Sequence, residues 1–408
     1  MSESDGFVIV GGGLSASKAA EALREQGFSG PLTIVAEEPE LPYERPALSK
    51  GYLTGSADRD SLFVHDHAWY ADHRVEVRTG VRATALDRGR KAVTLSDGDE
   101  LGYRKLLLAT GARPRTLPLP GADAANVHYL RTVADCERLQ QLFGSIQRLA
   151  IIGAGWIGLE VAAAARQAGV EVTVFEAAPL PLVNVLGPEL AGVFAALHRE
   201  HGVDFRLEAE VSELVLAGDE VNGIRLVDGT VLEADAMLVA VGAQPNVELG
   251  AAAGLAVDNG LMVGAGLITS DPDIVACGDV ANAFHPFYNE RIRSEHWATA
   301  LKQPATAARS MLGEPASYEE LPYFYSDQYD LGMEFLGRAE PGRYDQVLFR
   351  GDRAKGEYVA FWLDHGRVVA GMNVNVWGVT DAVKALIRKR IVIDPDLLTN
   401  PEIPLEQH

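Results

Sequence analysis

Two glycine-rich segments of this chain have the residue types and the spacing that bind a pyrophosphate. Each follows an apolar run, so each lies where a strand should turn into a helix. The paired glycines of the two segments are Gly11 and Gly13, and Gly153 and Gly155. The first glycine of a pair allows a tight turn, and the second lets the backbone approach a pyrophosphate with no side chain in the way. The free N–H groups and the positive end of the helix then bind the anion.

The residues around both segments strengthen this interpretation. The third position is small in each, Ala16 and Gly158, as close packing of a helix on a strand requires. An acidic residue, Glu37 or Glu176, closes the next apolar run about 20 residues on, where a carboxylate accepts from a ribose 2′-hydroxyl. One such motif is a weak signal. Two in a full strand–turn–helix context predict two nucleotide cofactors and an electron relay between them.

The second acidic residue also bears on which nicotinamide nucleotide would bind. A 2′-phosphate needs positive charge nearby, yet residues 177–187 contain no lysine or arginine. The Glu176 carboxylate would itself repel a phosphate. The sequence therefore predicts NADH rather than NADPH.

Composition limits the partners and the redox chemistry. The net charge of −21 makes nucleic acid an unsuitable partner, because phosphate binding needs a basic surface. The two cysteines, Cys136 and Cys277, do not form a Cys-x-x-Cys pair and are expected to be buried apolar residues. A two-nucleotide redox protein without a dithiol would pass electrons directly from its cofactor to an acceptor. No metal site is predicted.

The beginning of the chain predicts a cytoplasmic protein that is not inserted in a membrane. Met1–Asp5 is acidic and lacks the basic region of a signal peptide. The apolar run Phe7–Val10 is far too short to span a bilayer.

The 408 residues are too many for one ordinary domain, and the order of elements predicts an α/β protein. We expect two Rossmann-like dinucleotide-binding domains plus a C-terminal α+β domain. The first domain takes residues 1–112 and 245–319, the second 113–244, and the C-terminal domain 320–408. Leu108–Pro114 and Val239–Pro245 echo each other, since both end in a strand–Gly–Ala–x–Pro turn. The strand before Gly278-Asp279 is expected to lead into a helix that aims a carboxylate at a ligand.

Longer motifs then carry a family resemblance, and they are Pro42–Lys50, Ala109–Gly111, Tyr129–Thr132, Gly155–Glu160, Ala276–Ala281, Glu295–Trp297 and Tyr325–Tyr329. With the first glycine segment, they make the chain resemble, over essentially its whole length, the NADH-dependent ferredoxin reductases of the glutathione-reductase structural type. The blocks Glu44–Lys50 and Ser326–Tyr329 are the specific ones. The glycine motifs alone would indicate only a two-dinucleotide flavoprotein.

This resemblance implies FAD on the first domain, NADH on the second, and a role for particular residues. The FAD-binding residues would be Gly11, Gly13, Ser15 and Ala16 at the pyrophosphate, Glu37 and Arg45 at the adenosine ribose, Ala83 at the adenine, Asp279 at the ribityl chain, Trp297 at the flavin ring, and also Lys50, Thr110, Gly111 and Arg131. The NADH-binding residues would be Gly153, Gly155, Ile157, Gly158, Glu160, Glu176 and Gly242. The resemblance further implies that Lys50 and Glu160 form an ion pair close to flavin N5 and are the catalytic residues.

The function implied by the resemblance is transfer of electrons from NADH through FAD to a [2Fe–2S] ferredoxin, which supplies a monooxygenase or a ring-hydroxylating dioxygenase. Two alternatives stay open. One is an NADH oxidase or a rubredoxin reductase, and the other is an NADH-sensing flavoprotein similar to apoptosis-inducing factor.

An acidic ferredoxin would need a local basic patch on this acidic chain. The candidate residues are Lys384, Arg388, Lys389 and Arg390, together with Arg291, Arg293 and Arg309. An equal alternative is that residues 384–390 are a solvated helix end whose cations suit the negative end of the helix dipole.

Overall fold

Units in which a strand is followed by a helix are separated along the chain by runs of consecutive strands. The computed structural model describes residues 6–407, so the predicted absence of a signal peptide at Met1–Asp5 lies outside the described residues. The strands are β1 (Phe7–Val10), β2 (Leu32–Val35), β3 (Val75–Arg78), β4 (Ala83–Asp87), β5 (Ala92–Leu95), β6 (Glu100–Gly102), β7 (Lys105–Leu108), β8 (Ala112–Pro114), β9 (Val127–His128), β10 (Arg148–Ile152), β11 (Glu171–Glu176), β12 (Val203–Leu207), β13 (Val211–Ala217), β14 (Glu220–Leu226), β15 (Val231–Glu233), β16 (Ala236–Val239), β17 (Ala243–Pro245), β18 (Leu261–Val263), β19 (Ile274–Ala276), β20 (Ala281–His285), β21 (Glu290–Ile292), β22 (Tyr323–Gln328), β23 (Leu331–Gly337), β24 (Gln346–Asp352), β25 (Glu357–Asp364) and β26 (Arg367–Val374).

The α-helices are likewise numbered in the order of the chain. They are α1 (Leu14–Glu25), α2 (His67–Asp72), α3 (Val133–Phe143), α4 (Trp156–Gln167), α5 (Val183–Glu200), α6 (Glu248–Ala252), α7 (Trp297–Met311), α8 (Thr380–Lys389) and α9 (Pro395–Thr399). Helix α5 is broken near its start, where Gly187 takes a φ of 75° before Pro188. A proline disfavours helical geometry in the residue before it, which accounts for the break. Over residues 6–407, no helix is both long enough and apolar enough to cross a membrane.

The chain divides into two units. Unit 1 holds the chain up to Arg45, Asp58–Arg113 and Ala243–Glu320, and unit 2 holds Pro46–Ala57, Pro114–Gly242 and the chain from Leu321 onward. The segment Pro46–Ala57, which carries Lys50, belongs to unit 2 although its neighbours in sequence belong to unit 1. The finer four-segment division into domains stays a prediction.

Unit 1 is built on a parallel sheet with the strand order β19-β7-β1-β2-β3. Val10 lies in register with Val35 on one side and with Leu108 on the other. The inner strands β1 and β7 and the edge strand β19 are apolar and buried along most of their length, as is usual for parallel sheets covered on both faces, whereas the edge strand β3 alternates apolar and charged residues. Ile9 and Ile34 are fully buried in the resulting core. Helix α1 starts four residues after β1, so the first glycine segment forms the turn between them.

Unit 2 contains a second parallel sheet, with the strand order β12-β11-β10-β16-β9. Helix α4 follows β10 through the second glycine segment, as α1 follows β1. The predicted α/β fold with two such sheets is confirmed. Residues beyond 322 add an antiparallel sheet with the order β22-β23-β26-β25-β24, on which α8 packs. This matches the predicted α+β character of the C-terminal part.

One local prediction is wrong. Gly278-Asp279 is not followed by a helix but forms a short 3-10 turn, Gly278–Val280, that leads directly into β20. Strand β20 pairs with β18, which places Ala281 opposite Leu261. The segment after the turn therefore forms a strand of a sheet instead of a helix, and the next α-helix begins only at Trp297.

Candidate active site

The first glycine turn leaves open space in front of α1. Gly11 has a φ of +134°, and a Cβ on it would lie 2.1 Å from the carbonyl oxygen of Ala109, so the fold itself requires glycine there. Gly13 is the N-cap of α1, and its cap has no side-chain hydrogen bond. A Cβ on Gly13 would meet no atom within 4 Å. The space beside Gly13 at the start of α1 is thus open, which fits a pyrophosphate bound by the N–H groups of the helix N-terminus.

The second turn repeats this arrangement in unit 2. Gly153 has a φ of +102°, and a Cβ on it would lie 2.4 Å from the carbonyl oxygen of Ala240. Gly155, the N-cap of α4, again has open space where a Cβ would be. A Cβ on Gly158 would lie 2.2 Å from the Gly153 carbonyl oxygen, so the small third residue is needed for α4 to approach β10. Two turns with the same division of roles fit two dinucleotides.

The acidic residues at the strand ends differ from one another. Both oxygens of Glu176 accept backbone hydrogen bonds, from the Ala154 N–H at 2.8 Å and the Ala178 N–H at 2.9 Å. Glu176 therefore also braces the second glycine turn, a role that its position in the sequence did not predict. Glu37 is exposed after the end of β2.

The residue next to Glu37 holds the arginine assigned to the ribose. Glu38 pairs with the Arg45 guanidinium at 2.5 Å and accepts from the Tyr43 hydroxyl at 2.5 Å. Arg45 also donates to the Tyr43 hydroxyl at 2.9 Å. The sequence did not single out Glu38, because two adjacent glutamates end the same apolar run. The side chain that faces Arg45 is decided by the turn after β2.

The other unit 1 residues assigned to FAD lie at the ends of strands or at the start of a helix. Thr110 and Gly111 follow β7 and bind Asn246. The backbone carbonyl oxygen of Asn246 accepts from the Thr110 hydroxyl at 2.7 Å, and the side-chain amide of Asn246 donates to the backbone carbonyl oxygen of Thr110 at 2.8 Å. Asn246 is a position that sequence analysis missed. Ala83 is the first residue of β4, and Ala16 is fully buried in α1.

Three further side chains of unit 1 are partly or wholly buried. Ser15 donates its hydroxyl to the Ala300 carbonyl oxygen at 3.1 Å. Asp279 is buried in the 3-10 turn before β20. Trp297 begins α7 and donates its indole N–H to a carboxylate oxygen of Glu44 at 3.0 Å. Glu44 belongs to the specific block that carries the resemblance, although it received no role there.

In unit 2, the remaining predicted residues lie just before α3, in the first turn of α4 and between β16 and β17. The backbone N–H of Arg131 donates to the Asp135 carboxylate at 3.0 Å, just before α3. Ile157 is exposed in the first turn of α4. Gly242 has a φ of +99°, and its carbonyl oxygen accepts from the Arg115 N–H at 2.9 Å.

Lys50 and Glu160 form a buried ion pair. The Lys50 Nζ lies 2.8 Å from Glu160 Oε2, and the two side chains are 14% and 4% exposed. Glu160 lies on α4 little more than one turn after Gly155, so the helix that starts at the open glycine turn also carries the carboxylate. The Lys50 ammonium also lies 5.3 Å from the centre of the Tyr325 ring. The pair that the resemblance implies is present.

Two serines complete the surroundings of the carboxylate. The Ser49 hydroxyl donates to Glu160 Oε2, and the Ser326 hydroxyl donates to Oε1 at 2.7 Å. A buried charge is tolerated when it is paired and its remaining lone pairs are hydrogen-bonded, and Glu160 meets both conditions. Ser326 shares the buried face of β22 with Gln328, while Asp327 between them is exposed. Polar residues at the buried positions of a strand were the signal that could have singled out Ser326.

The two cysteines are free and buried, as predicted from the sequence. Burial raises the pKa of both Cys136 and Cys277 to about 12. Both thiols are therefore protonated at neutral pH and are unsuited to thiolate chemistry.

These features define a class of protein: an oxidoreductase that binds two dinucleotides and contains no redox dithiol. A family model described as pyridine nucleotide-disulphide oxidoreductase matches residues 6–304, and one described as reductase C-terminal matches residues 323–408. The chain is 42% identical over 404 residues to the ferredoxin–NAD(+) reductase component of the anthranilate 1,2-dioxygenase system of Burkholderia cepacia, with 98% of each chain covered.

Two further comparisons agree. The chain is 37% identical over 412 residues to putidaredoxin reductase of Pseudomonas putida, with 100% of this chain and 97% of that protein covered. A chain from the covalent putidaredoxin reductase–putidaredoxin complex matches it with a TM-score of 0.94 at 37% identity, over 99% of this chain and 97% of that one. The chain belongs to the pyridine nucleotide-disulphide oxidoreductase family. The predicted resemblance is confirmed, and the family implies FAD and NAD(H) as the cofactors.

Proposed function

We propose that this chain is a cytoplasmic NADH-dependent ferredoxin reductase that passes electrons through FAD to a [2Fe–2S] ferredoxin, which in turn supplies an oxygenase. The observation that carries this proposal is the buried ion pair between Lys50 and Glu160, whose carboxylate lies on the helix that begins at the open Gly155 turn. The ferredoxin reductase components of oxygenase systems that the chain resembles along its whole length support it.

The roles of the pair follow from its chemistry. FAD, when bound, accepts a hydride from NADH and releases the two electrons singly to two one-electron acceptors. The Lys50 ammonium would stabilise negative charge that develops during hydride transfer, because it is held in a site with little water. Glu160 would orient Lys50 and position the nicotinamide carboxamide. The other cofactor-binding residues assigned from the resemblance stay proposals, with Gly13 and Gly155 best supported by the open space in front of their helices.

Because the chain has no dithiol to serve as an internal carrier, the electrons would pass directly from FAD to the acceptor. The relatives that are ferredoxin reductases support a protein as this acceptor. Helix α8 buries Ala382, Val383, Leu386 and Ile387, and Arg388, Lys389 and Arg390 are exposed at its end, with Lys384 half-buried. We propose this helix end as part of the docking surface for an acidic ferredoxin. Electrostatic steering of such a partner would raise the association rate and make it sensitive to salt.

The first test is an anaerobic titration of the FAD-loaded protein with NADH and, separately, NADPH, followed in the visible spectrum. Prompt bleaching of the oxidised flavin by NADH, and far less by NADPH, is the expected result. A yellow protein that NADH does not reduce would refute the proposal at its central step.

The second test identifies the acceptor. Cytochrome c reduction that is rapid and requires added [2Fe–2S] ferredoxin is expected. Rapid reduction of rubredoxin or of dioxygen without ferredoxin would favour the first alternative. Slow turnover with a long-lived NAD complex and a changed oligomeric state would favour an NADH-sensing flavoprotein.

A further inference from the structure

A continuous series of buried polar side chains leads from Glu160 to helix α5. The Ser326 hydroxyl donates to Glu160 Oε1 at 2.7 Å, and Gln328 Nε2 donates to the Ser326 oxygen at 3.0 Å. The Gln328 Oε1 lies 2.8 Å from His198 Nε2. Ser326, Gln328 and His198 are each no more than 1% exposed. Three buried polar residues joined end to end in this way are unusual in a core and call for a function.

The hydrogens of this series can be placed from donor and acceptor chemistry. An ionised carboxylate only accepts, so the single hydroxyl hydrogen of Ser326 goes to Glu160. Gln328 must then donate to Ser326 through its amide NH2, which leaves its carbonyl oxygen facing His198. His198 must therefore carry its hydrogen on Nε2. Every donor in the series points towards Glu160.

The protonation of His198 agrees with this placement. Burial lowers the pKa of His198 to about 4, with a smaller effect of the neighbouring His201 in the same direction and an opposing one of the Gln328 hydrogen bond. The ring is thus neutral at pH 7 and has one N–H. Its other nitrogen, Nδ1, lies 3.5 Å from the Tyr329 hydroxyl. The ring faces Phe205 from β12, which carries no charge.

The series is suited to holding a side chain in place and unsuited to moving a proton. A relay would have to pass through the Gln328 amide, which neither releases nor accepts protons readily. Leaving any buried member without its partner costs about 1–3 kcal/mol, so each link restrains the next. The last link restrains Oε1 of Glu160, while Oε2 remains on Lys50.

We propose that His198 and Gln328 are positioning residues for hydride transfer, acting through Ser326 to hold Glu160 in the orientation that pairs it with Lys50. This inference rests on the proposed function, because it assigns the Lys50–Glu160 pair to the nicotinamide. It extends the reacting site from α4 and the Pro46–Ala57 segment to α5 and β22.

The test uses the full-length, FAD-loaded protein and three substitutions. His198→Phe keeps an aromatic ring and removes both nitrogens. His198→Gln keeps an N–H near the position of Nε2. His201→Phe is the matched control, because His201 is the C-cap of α5, three residues after His198. It is exposed and stacks on Tyr329 at 3.6 Å without joining the series. Anaerobic stopped-flow reduction by NADH gives the hydride-transfer rate constant and the NADH dissociation constant separately, over pH 5–9.

We expect His198→Phe to lower the rate constant about tenfold or more at pH 7 and to change the dissociation constant less than threefold. His198→Gln should recover most of the rate, and His201→Phe should match the wild type. A rate constant for His198→Phe within twofold of the wild type, or a loss of rate that His198→Gln does not recover, would overturn the inference. If the wild type itself is not reduced by NADH, the proposed function fails instead.

A second measurement uses only the wild-type protein and does not depend on its turnover. Nitrogen-15 NMR of histidine-labelled wild-type protein reports the tautomer of each ring, and His198 should be neutral and protonated on Nε2 from pH 6 to pH 8. A ring protonated on Nδ1, or one that titrates within this range, would contradict the series of donors and would overturn the inference.

Discussion

Replacing Gly155 by alanine should weaken NADH binding strongly while leaving the fold intact. A Cβ at this position meets no atom within 4 Å, and the backbone angles of −79° and −176° are open to any residue. Alanine caps a helix less well than glycine, but it also restricts the unfolded chain, and these effects of about 0.5–1 kcal/mol oppose each other. The free energy of unfolding should therefore change by less than about 1 kcal/mol.

The effect on binding should be much larger. The new methyl group would occupy the space between the α4 N-terminus and the pyrophosphate, so the phosphate oxygens would lose N–H partners. A hydrogen bond to a charged group contributes about 1.5–3 kcal/mol. Loss of one such bond raises the dissociation constant about ten- to hundredfold, since 1.4 kcal/mol corresponds to a factor of ten.

Two other glycines provide controls for Gly155→Ala. Gly153→Ala places a Cβ 2.4 Å from a backbone oxygen at a φ of +102°, so it should destabilise the fold by about 3 kcal/mol or more. Gly192→Ala lies within α5 with no atom within 4 Å of its Cβ, so it should stabilise the protein by about 0.5–1 kcal/mol and leave binding unchanged.

Calorimetric titration of the FAD-loaded variants with NAD⁺ measures the dissociation constant of the nucleotide, and their thermal unfolding measures the change in stability. If Gly155→Ala binds NAD⁺ within threefold of the wild type, the open space in front of α4 is not a pyrophosphate site. If Gly155→Ala unfolds as readily as Gly153→Ala, it is wrong that Gly153 is required by the fold and Gly155 by the ligand.

Three further predictions concern acid stability, the docking surface and the buried cysteines. Burial lowers the pKa of His198 from 6.5 to about 4, so between these pH values the unfolded state binds a proton that the folded state does not. The free energy of unfolding should therefore fall by up to about 3 kcal/mol as the pH drops from 6.5 to 4. Denaturant unfolding of His198→Phe should show a smaller fall with pH, and the same pH dependence as in the wild type would contradict this. Replacing Arg388 and Lys389 by glutamine should lower ferredoxin-dependent cytochrome c reduction several-fold at low salt, with no effect on reduction of FAD by NADH, and a salt-insensitive rate in the wild type would remove the docking role of α8. Neither Cys136 nor Cys277 should react with a thiol reagent in the native protein at pH 8, because both are buried and their pKa values are raised to about 12; rapid labelling followed by mass spectrometry would show otherwise.

Local sequence determined the two glycine turns that we propose bind the nucleotides. A buried apolar strand, a glycine that must take a positive φ, an uncapped helix start and a small third residue are all encoded within nine consecutive positions, so β1–α1 and β10–α4 could be read without any distant contact. The same local pattern also predicted the acidic residue at the end of β11, Glu176. Where local patterns compete with sheet pairing they mislead, as at Gly278-Asp279, where β18 pairs with the chain after the turn.

The residues around Glu160 were decided by tertiary structure. Ser326 is separated from Glu160 by 166 positions and Gln328 from His198 by 130, and no periodicity in the sequence relates them. The family resemblance indicated that Lys50 and Glu160 should meet, but not which side chains complete their surroundings. Those partners are set by the packing of α4, α5 and β22, because a buried carboxylate must satisfy its lone pairs with whatever donors the neighbouring elements bring within reach. Sequence alone thus determined the fold class and the two glycine turns, while the long-range packing decided which polar side chains surround the ion pair.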